Sequence, residues 1–160
     1  MRAEFVNPFV IGAGAVLKTL LGVDSKLGQL SARPTIFTTQ EVNVVCGITG
    51  QVQGQVIYGM SFATAESVSD KMLGGVSDRS EELITSALAE LGNMISGNCV
   101  TNLSSAGFVC DITPPTIMKG ENVSISTVDI PALVIPLSLG EFGMIEINVS
   151  LRERAVAAAA

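Results

Sequence analysis

Between Ser80 and Gly107, apolar residues fall at Ile84, Leu88, Leu91 and Ile95, intervals of three and four that wind onto one face of a single long helix. Such a stripe has to be covered by another layer, and the rest of the chain supplies candidates. The run Val42-Asn-Val-Val-Cys-Gly-Ile-Thr-Gly50-Gln-Val-Gln-Gly-Gln-Val-Ile-Tyr-Gly-Met60 is rich in β-branched residues and reads as two strands joined by a tight turn centred on Thr49 to Gln51. The expected fold is therefore α/β of the α+β type, with long helices packed on a mainly antiparallel sheet.

Punctuation marks the other elements. A first helix is expected from about Phe5 to Leu21, with Asn7 or the residues before it near its start and Gly22 as its stop. Gly12, Ala13, Gly14 and Ala15 make one side of it small enough for close packing. A short strand from Leu27 to Arg33 ends at Pro34. A second helix spans Thr64 to Leu73, capped by Ser61 or Thr64 and ended by Gly74-Gly75. Ser80 offers a cap to the long helix, and Glu81 and Glu82 favour the positive end of its dipole. Strand-like segments follow at about Phe108 to Thr113, Val123 to Pro136 and Phe142 to Leu151, with Gly140 to Gly143 as the last turn. Both halves share an order of helix, strand, strand, strand, a candidate pseudo-twofold internal repeat. Residues 1–154 read as one domain, and 155–160 as a frayed tail or helix stub.

On the long helix Ser86, Glu90, Asn93 and Gly97 lie roughly 160–200° from the apolar face, so they form a polar stripe directed at water or a partner. Glycine and asparagine cost a helix about 0.5–1 kcal/mol each against alanine, which argues that something other than helix stability keeps them. A bare Glu-x-x-Asn arises often by chance, and by itself the pair reads equally as solvated surface. Pro114-Pro115 by itself is an ordinary strand terminator.

The combined pattern is more specific. Ser86 four residues before Glu90, Asn93 three after it, and a proline some twenty residues on, Pro115 with Pro114 beside it, resemble the signature of the CheC/CheX/FliY family of bacterial chemotaxis phosphatases. The opening Phe5-Val-Asn7-Pro8-Phe9 and the order of elements are similar to CheX-type members. The first half holds its own Glu4-Phe-Val-Asn7, but Pro8 follows Asn7 and Pro34 lies at a longer spacing, so one site per chain is expected.

The resemblance implies a hydrolase acting on the aspartyl phosphate of a CheY-type receiver domain. Asn93 would position the attacking water, and Glu90 would dock against the active-site lysine of the receiver or help to orient the water. Ser86, Gly97 and Pro115 would support the contact. No cofactor is expected on this chain; the Mg2+ belongs to the receiver. A homodimer joined through sheet edges is implied too, and an unpaired edge is an independent reason for pairing. The competing readings are a CheY-binding or flagellar-switch-like module without catalysis, and a structural dimerisation protein.

Composition narrows the remaining classes. The net charge of −6 leaves no basic cluster to neutralise nucleic-acid phosphates. With no histidine, the commonest general base and zinc ligand is absent, and no metal site is expected. Cys46, Cys99 and Cys110 are odd in number and lie in apolar surroundings, as buried free thiols of a reducing compartment do. No apolar run near 20 residues escapes interruption by Gly, Lys or Asp, and the N-terminus lacks a basic signal region, so a soluble cytoplasmic protein is expected, without membrane contact.

Overall fold

The computed structural model describes residues 2–77, 79–127 and 129–156. Among these residues three helices, α1 (Ala3–Leu21), α2 (Phe62–Met72) and α3 (Glu81–Ser105), accompany ten strands. The first half contributes β1 (Lys26–Leu27), β2 (Ser31–Arg33), β3 (Ile36–Thr38), β4 (Val42–Gly50) and β5 (Val52–Met60). The second contributes β6 (Cys110–Ile112), β7 (Thr116–Lys119), β8 (Ser124–Ser126), β9 (Ala132–Ser138) and β10 (Met144–Glu153). A 3-10 turn at Gly140–Phe142 links β9 to β10.

The pairings are antiparallel throughout, and they make the repeat explicit. The sheet runs β1-β9-β10-β5-β4-β6, with β2 also on β9 and β7 also on β4. Exchanging the halves maps this order onto itself: β5 meets β10 at the centre, β4 and β9 flank them, and each half's short strands complete the other half's edge. The ribbon β3-β8 pairs the halves once more. Neither half has a complete sheet without strands from the other.

Two expected strands are corrected by this arrangement. The segment 27–33 divides into β1 and β2, with β3 following Pro34. Of the three C-terminal segments, 123–136, whose Val128 lies outside the described residues, is interrupted between β8 and β9, while β7 falls in none of them and is separated from β6 by Pro114-Pro115. Proline has no N–H to give to a ladder, so pairing stops there and resumes after it.

The helices cover one face of the sheet. Alternate residues of the central strands, Val42, Val44, Cys46 and Ile48 on β4 and Ile145, Ile147 and Val149 on β10, are buried beneath Leu88, Leu91, Ile95 and Leu103 of α3 and Phe5, Phe9, Ala13 and Leu17 of α1. Each Val, Leu, Ile or Phe among them contributes about 1.5–3 kcal/mol. On the opposite face the β3-β8 ribbon encloses a small second core of Phe37, Ile57, Ile125 and Ala132. The two long helices touch through the expected small side of α1, where a Cβ on Gly12 would stand 3.0 Å from Cys99 Sγ. The thiol donates to the Pro8 carbonyl at 3.3 Å.

The first helix starts earlier than expected, so Asn7 and Pro8 lie inside it; Gly22, in the left-handed region at φ 71, closes it. By length and composition α1 is apolar enough to cross a membrane, with mean hydropathy 1.3, contrary to the expectation that no segment qualifies. Half of this apolar stretch is buried against α3 and the sheet. Cys110, expected to be buried, is only partly so, while Cys46 and Cys99 are buried and all three thiols are free. Of the expected tail, Ala155 and Val156 are exposed coil and 157–160 lie outside the described residues.

Candidate active site

Helix α3 begins where its sequence asks it to: the Ser80 hydroxyl accepts from the Leu83 N–H at 3.3 Å, with Glu81 and Glu82 in the first turn. Its buried face runs Leu88, Leu91, Ile95, Cys99 and Leu103, which turns Ser86 and Glu90 out to solvent and leaves Asn93 and Gly97 half-buried. Glu90 and Asn93 stand one turn apart. Among the described residues neither side chain has a hydrogen bond, ion pair or electrostatic partner, so both remain available to a second molecule.

The stripe does not simply protrude, as expected from the helix alone. It forms one wall of an open cleft of about 450 Å³, whose other wall is Thr113, Pro114 and Pro115. Register explains the second wall. Ile112 pairs with Ile48 and Thr116 with Val45, so the three residues Thr113 to Pro115 span only Cys46 and Gly47 of β4. The surplus residue bulges off the edge. Thr113 anchors the bulge by donating its N–H to the Gly47 carbonyl at 2.9 Å, and its hydroxyl accepts from the Gly47 N–H at 2.9 Å. A side chain at 47 is excluded, because a Cβ there would lie 2.7 Å from Thr113 Oγ1.

Ser86, Glu90, Asn93 and Pro115, scattered over thirty positions, thus meet at one place. Gly97 lies a turn further along α3 with nothing within 4 Å of its Cβ position, an open flank beside the cleft. Among the described residues no hydrogen bond along the helix engages the Ser86 hydroxyl. Beyond the cleft Lys119 of β7 donates to Thr85 Oγ1 at 3.0 Å and pairs with Glu81 at 3.4 Å, tying the first turns of α3 to the edge strand.

Sequence reasoning passed over Thr113 and Gly47, which hold the bulge, and Gly92 and Ser96 on the inner side of α3. Two successive prolines, unable to donate to a ladder, were the available signal for the bulge. Nothing local announces that Ser96 is buried against Tyr58, their hydroxyls 2.6 Å apart.

The first copy is assembled differently. Glu4 and Asn7 flank the buried Phe5, Val6 and Phe9 as Glu90 and Asn93 flank Leu91, Gly92 and Ile95. Residues 28–30 bulge against β9 as 113–115 do against β4. Yet Glu4 is engaged by Arg2 at 2.6 Å, and Arg2 also binds Glu153 at 2.7 Å. Helix α3 packs on β4, β6 and β7, whereas α1 has no comparable contact with β9, β1 or β2.

Comparisons with known proteins bear on this arrangement. Residues 42–138 match the family model described as chemotaxis phosphatase CheX. A protein of Thermotoga maritima named CheY-P phosphatase CheX is 34% identical over 87% of this chain and 90% of its own length. In the solved CheX–CheY–BeF3–Mg2+ complex from Borrelia burgdorferi, one chain is 35% identical with TM-score 0.80, covering 95% of this chain and 100% of its own. The crystal structure of a chemotaxis protein CheX from Desulfovibrio desulfuricans is 27% identical with TM-score 0.82, covering 94% of this chain and 99% of its own. With most of its length covered by that family model and by a relative of 34% identity, and with its fold matched by solved structures, the chain belongs to the CheX family of chemotaxis phosphatases.

Proposed function

We propose that this protein hydrolyses the aspartyl phosphate of a CheY-type receiver domain, with α3 entering the receiver's active site from outside. The observation that carries the reading is the pair Glu90 and Asn93, unpartnered and one turn apart on the rim of an open cleft, in a chain of this family.

In phosphoryl transfer the protein contributes chiefly position and electrostatics. A carboxamide donates and accepts at once, so the Asn93 side chain can hold a water with a lone pair directed at phosphorus. The water attacks, the bond from phosphorus to the aspartyl oxygen breaks, and inorganic phosphate leaves with the receiver carboxylate restored. Glu90 supplies a negative charge beside that centre, suited to pairing with a receiver lysine. Orienting the water is its alternative role. The Mg2+ that neutralises the phosphoryl oxygens is supplied by the receiver. Gly97 and Pro115 shape the approach, with the Ser86 hydroxyl left to contact the partner.

This reading places the chain with its receiver in the cytoplasm. A dimer through sheet edges belongs to it as well, and the edge at β1 and β2, where Leu27 is 50% exposed, leaves the cleft open, whereas pairing at β6 and β7 would cover the bulge. Sedimentation equilibrium tests the dimer.

Phosphate release from a phosphorylated CheY-type receiver, with and without this protein, tests the function. Acceleration supports it. Binding without acceleration makes the chain an interaction module, and neither outcome leaves a structural dimerisation protein.

A further inference from the structure

Gly92 lies between Glu90 and Asn93 in sequence but on the opposite, inner side of α3, fully within the protein. A methyl group there would stand 2.5 Å from Val44 Cγ1 and 3.6 Å from Cys46 Sγ. Carbon atoms settle at about 3.5–4.0 Å, so even alanine at 92 requires roughly 1 Å of retreat by the helix or the strand. Val44 has little freedom to give way. It is β-branched, wholly buried, and paired with Tyr58 on one side and Ile117 on the other.

The same stretch of β4 also holds the opposite wall of the cleft. Cys46 and Gly47 are the two positions spanned by the bulge of Thr113 to Pro115, and Gly47 binds Thr113 through both backbone groups. Both walls are therefore gauged from Val44 to Gly47, and the closeness of α3 to β4 sets the distance from Asn93 to Pro115. One turn beyond Gly92, the buried Ser96 hydroxyl meets the hydroxyl of Tyr58, on the strand beside β4, at 2.6 Å. That contact fixes rotation of the helix where Gly92 fixes its depth. The degenerate copy has neither device: valines, Val6 and Val10, stand four residues apart where α3 has Gly92 and Ser96.

We propose that Gly92, together with the Tyr58–Ser96 contact, is a positioning element for the reaction: it sets the depth and rotation at which α3 presents Asn93 to the phosphoryl group, rather than serving stability alone. The inference rests on the phosphatase reading. A misplacement near 1 Å is enough to cost on the order of 100-fold in rate when catalysis is orientation.

The test compares wild type with Gly92→Ala, Val44→Ala and the double variant, using a phosphorylated CheY-type receiver and, for affinity, the same receiver loaded with beryllofluoride and Mg2+. Gly92→Ala is expected to lose at least about tenfold in kcat per folded molecule with KM changed far less. The double variant, with room restored at Val44, is expected to recover most of that loss, and Val44→Ala alone reads the loss of core packing without the added methyl. Unchanged kcat in Gly92→Ala, or a loss the double variant does not relieve, overturns the proposal. If Gly92→Ala does not fold, Tyr58→Phe takes its place: a several-fold fall in kcat supports the proposal, and an unchanged kcat overturns it. A crystal structure of Gly92→Ala reads the packing without any activity; α3 lying where it lies in the wild type overturns the proposal too. Absence of turnover in the wild-type protein strikes instead at the phosphatase reading.

Discussion

Replacing Asn93 by alanine separates the fold of this protein from its proposed chemistry. The side chain is half-buried at the cleft rim and has no partner among the described residues, so its removal breaks no internal hydrogen bond. Position 93 lies well inside α3, where alanine is favoured over asparagine by about 0.5 kcal/mol. For a domain of this size 1 kcal/mol corresponds to roughly 2–4 °C, so Asn93→Ala is expected to melt at the wild-type temperature or about 1–2 °C above it. Turnover should behave in the opposite way. If the carboxamide orients the water, its loss removes a near-attack geometry worth at least about 100-fold, or about 2.7 kcal/mol of barrier, with much of the affinity for the receiver retained. Calorimetry and a phosphate-release assay on the same preparation check both halves. A melting temperature lowered by more than about 4 °C would show that the side chain is structural, and kcat within about threefold of wild type would refute water positioning.

Glu90→Ala is expected to impair both binding and turnover while changing stability by less than about 0.5 kcal/mol; since its contribution is a charge at an exposed rim, the loss in binding should shrink as salt is raised, and a salt-independent loss would contradict the docking role. Gly97→Ala should stabilise the helix by about 0.5–1 kcal/mol, because nothing lies within 4 Å of the new methyl, yet raise KM if the receiver backbone approaches there; an unchanged KM removes Gly97 from the contact. Burial pushes the Cys46 and Cys99 thiols and the Tyr58 hydroxyl up, the tyrosine well above its ordinary value of 10.0. Above the ordinary thiol value of 9.0 the unfolded chain releases protons that the folded chain retains, so stability is fully present below that pH and is lost as pH rises past it. Urea unfolding at pH 8 and pH 10 should show the fall, up to about 1.4 kcal/mol per pH unit for each group held neutral, and equal stability at the two would refute it.

Much of the architecture is local information. The three- and four-residue spacing of Ile84, Leu88, Leu91 and Ile95 is sufficient for α3 and its orientation, because a helix has one period and one apolar face. The hairpin Val42 to Met60, the Ser80 cap and the Gly22 stop follow from propensity and backbone freedom at single positions. Short edge strands were harder to read. Lys26–Leu27 and Ser31–Arg33 are strands only because β9 offers them an edge, and no periodicity survives in two or three residues.

The site divides along the same line. Ser86, Glu90 and Asn93 share a stripe because helical geometry puts them there, a relation legible in the chain before any fold is known. Their meeting with Pro115 across a cleft, the bulge anchored at Gly47, and the depth set by Gly92 against Val44 exist only once strands and helices are packed together. Spacing along one element is a property of the chain, whereas the separation of two elements depends on which atoms of a third lie between them.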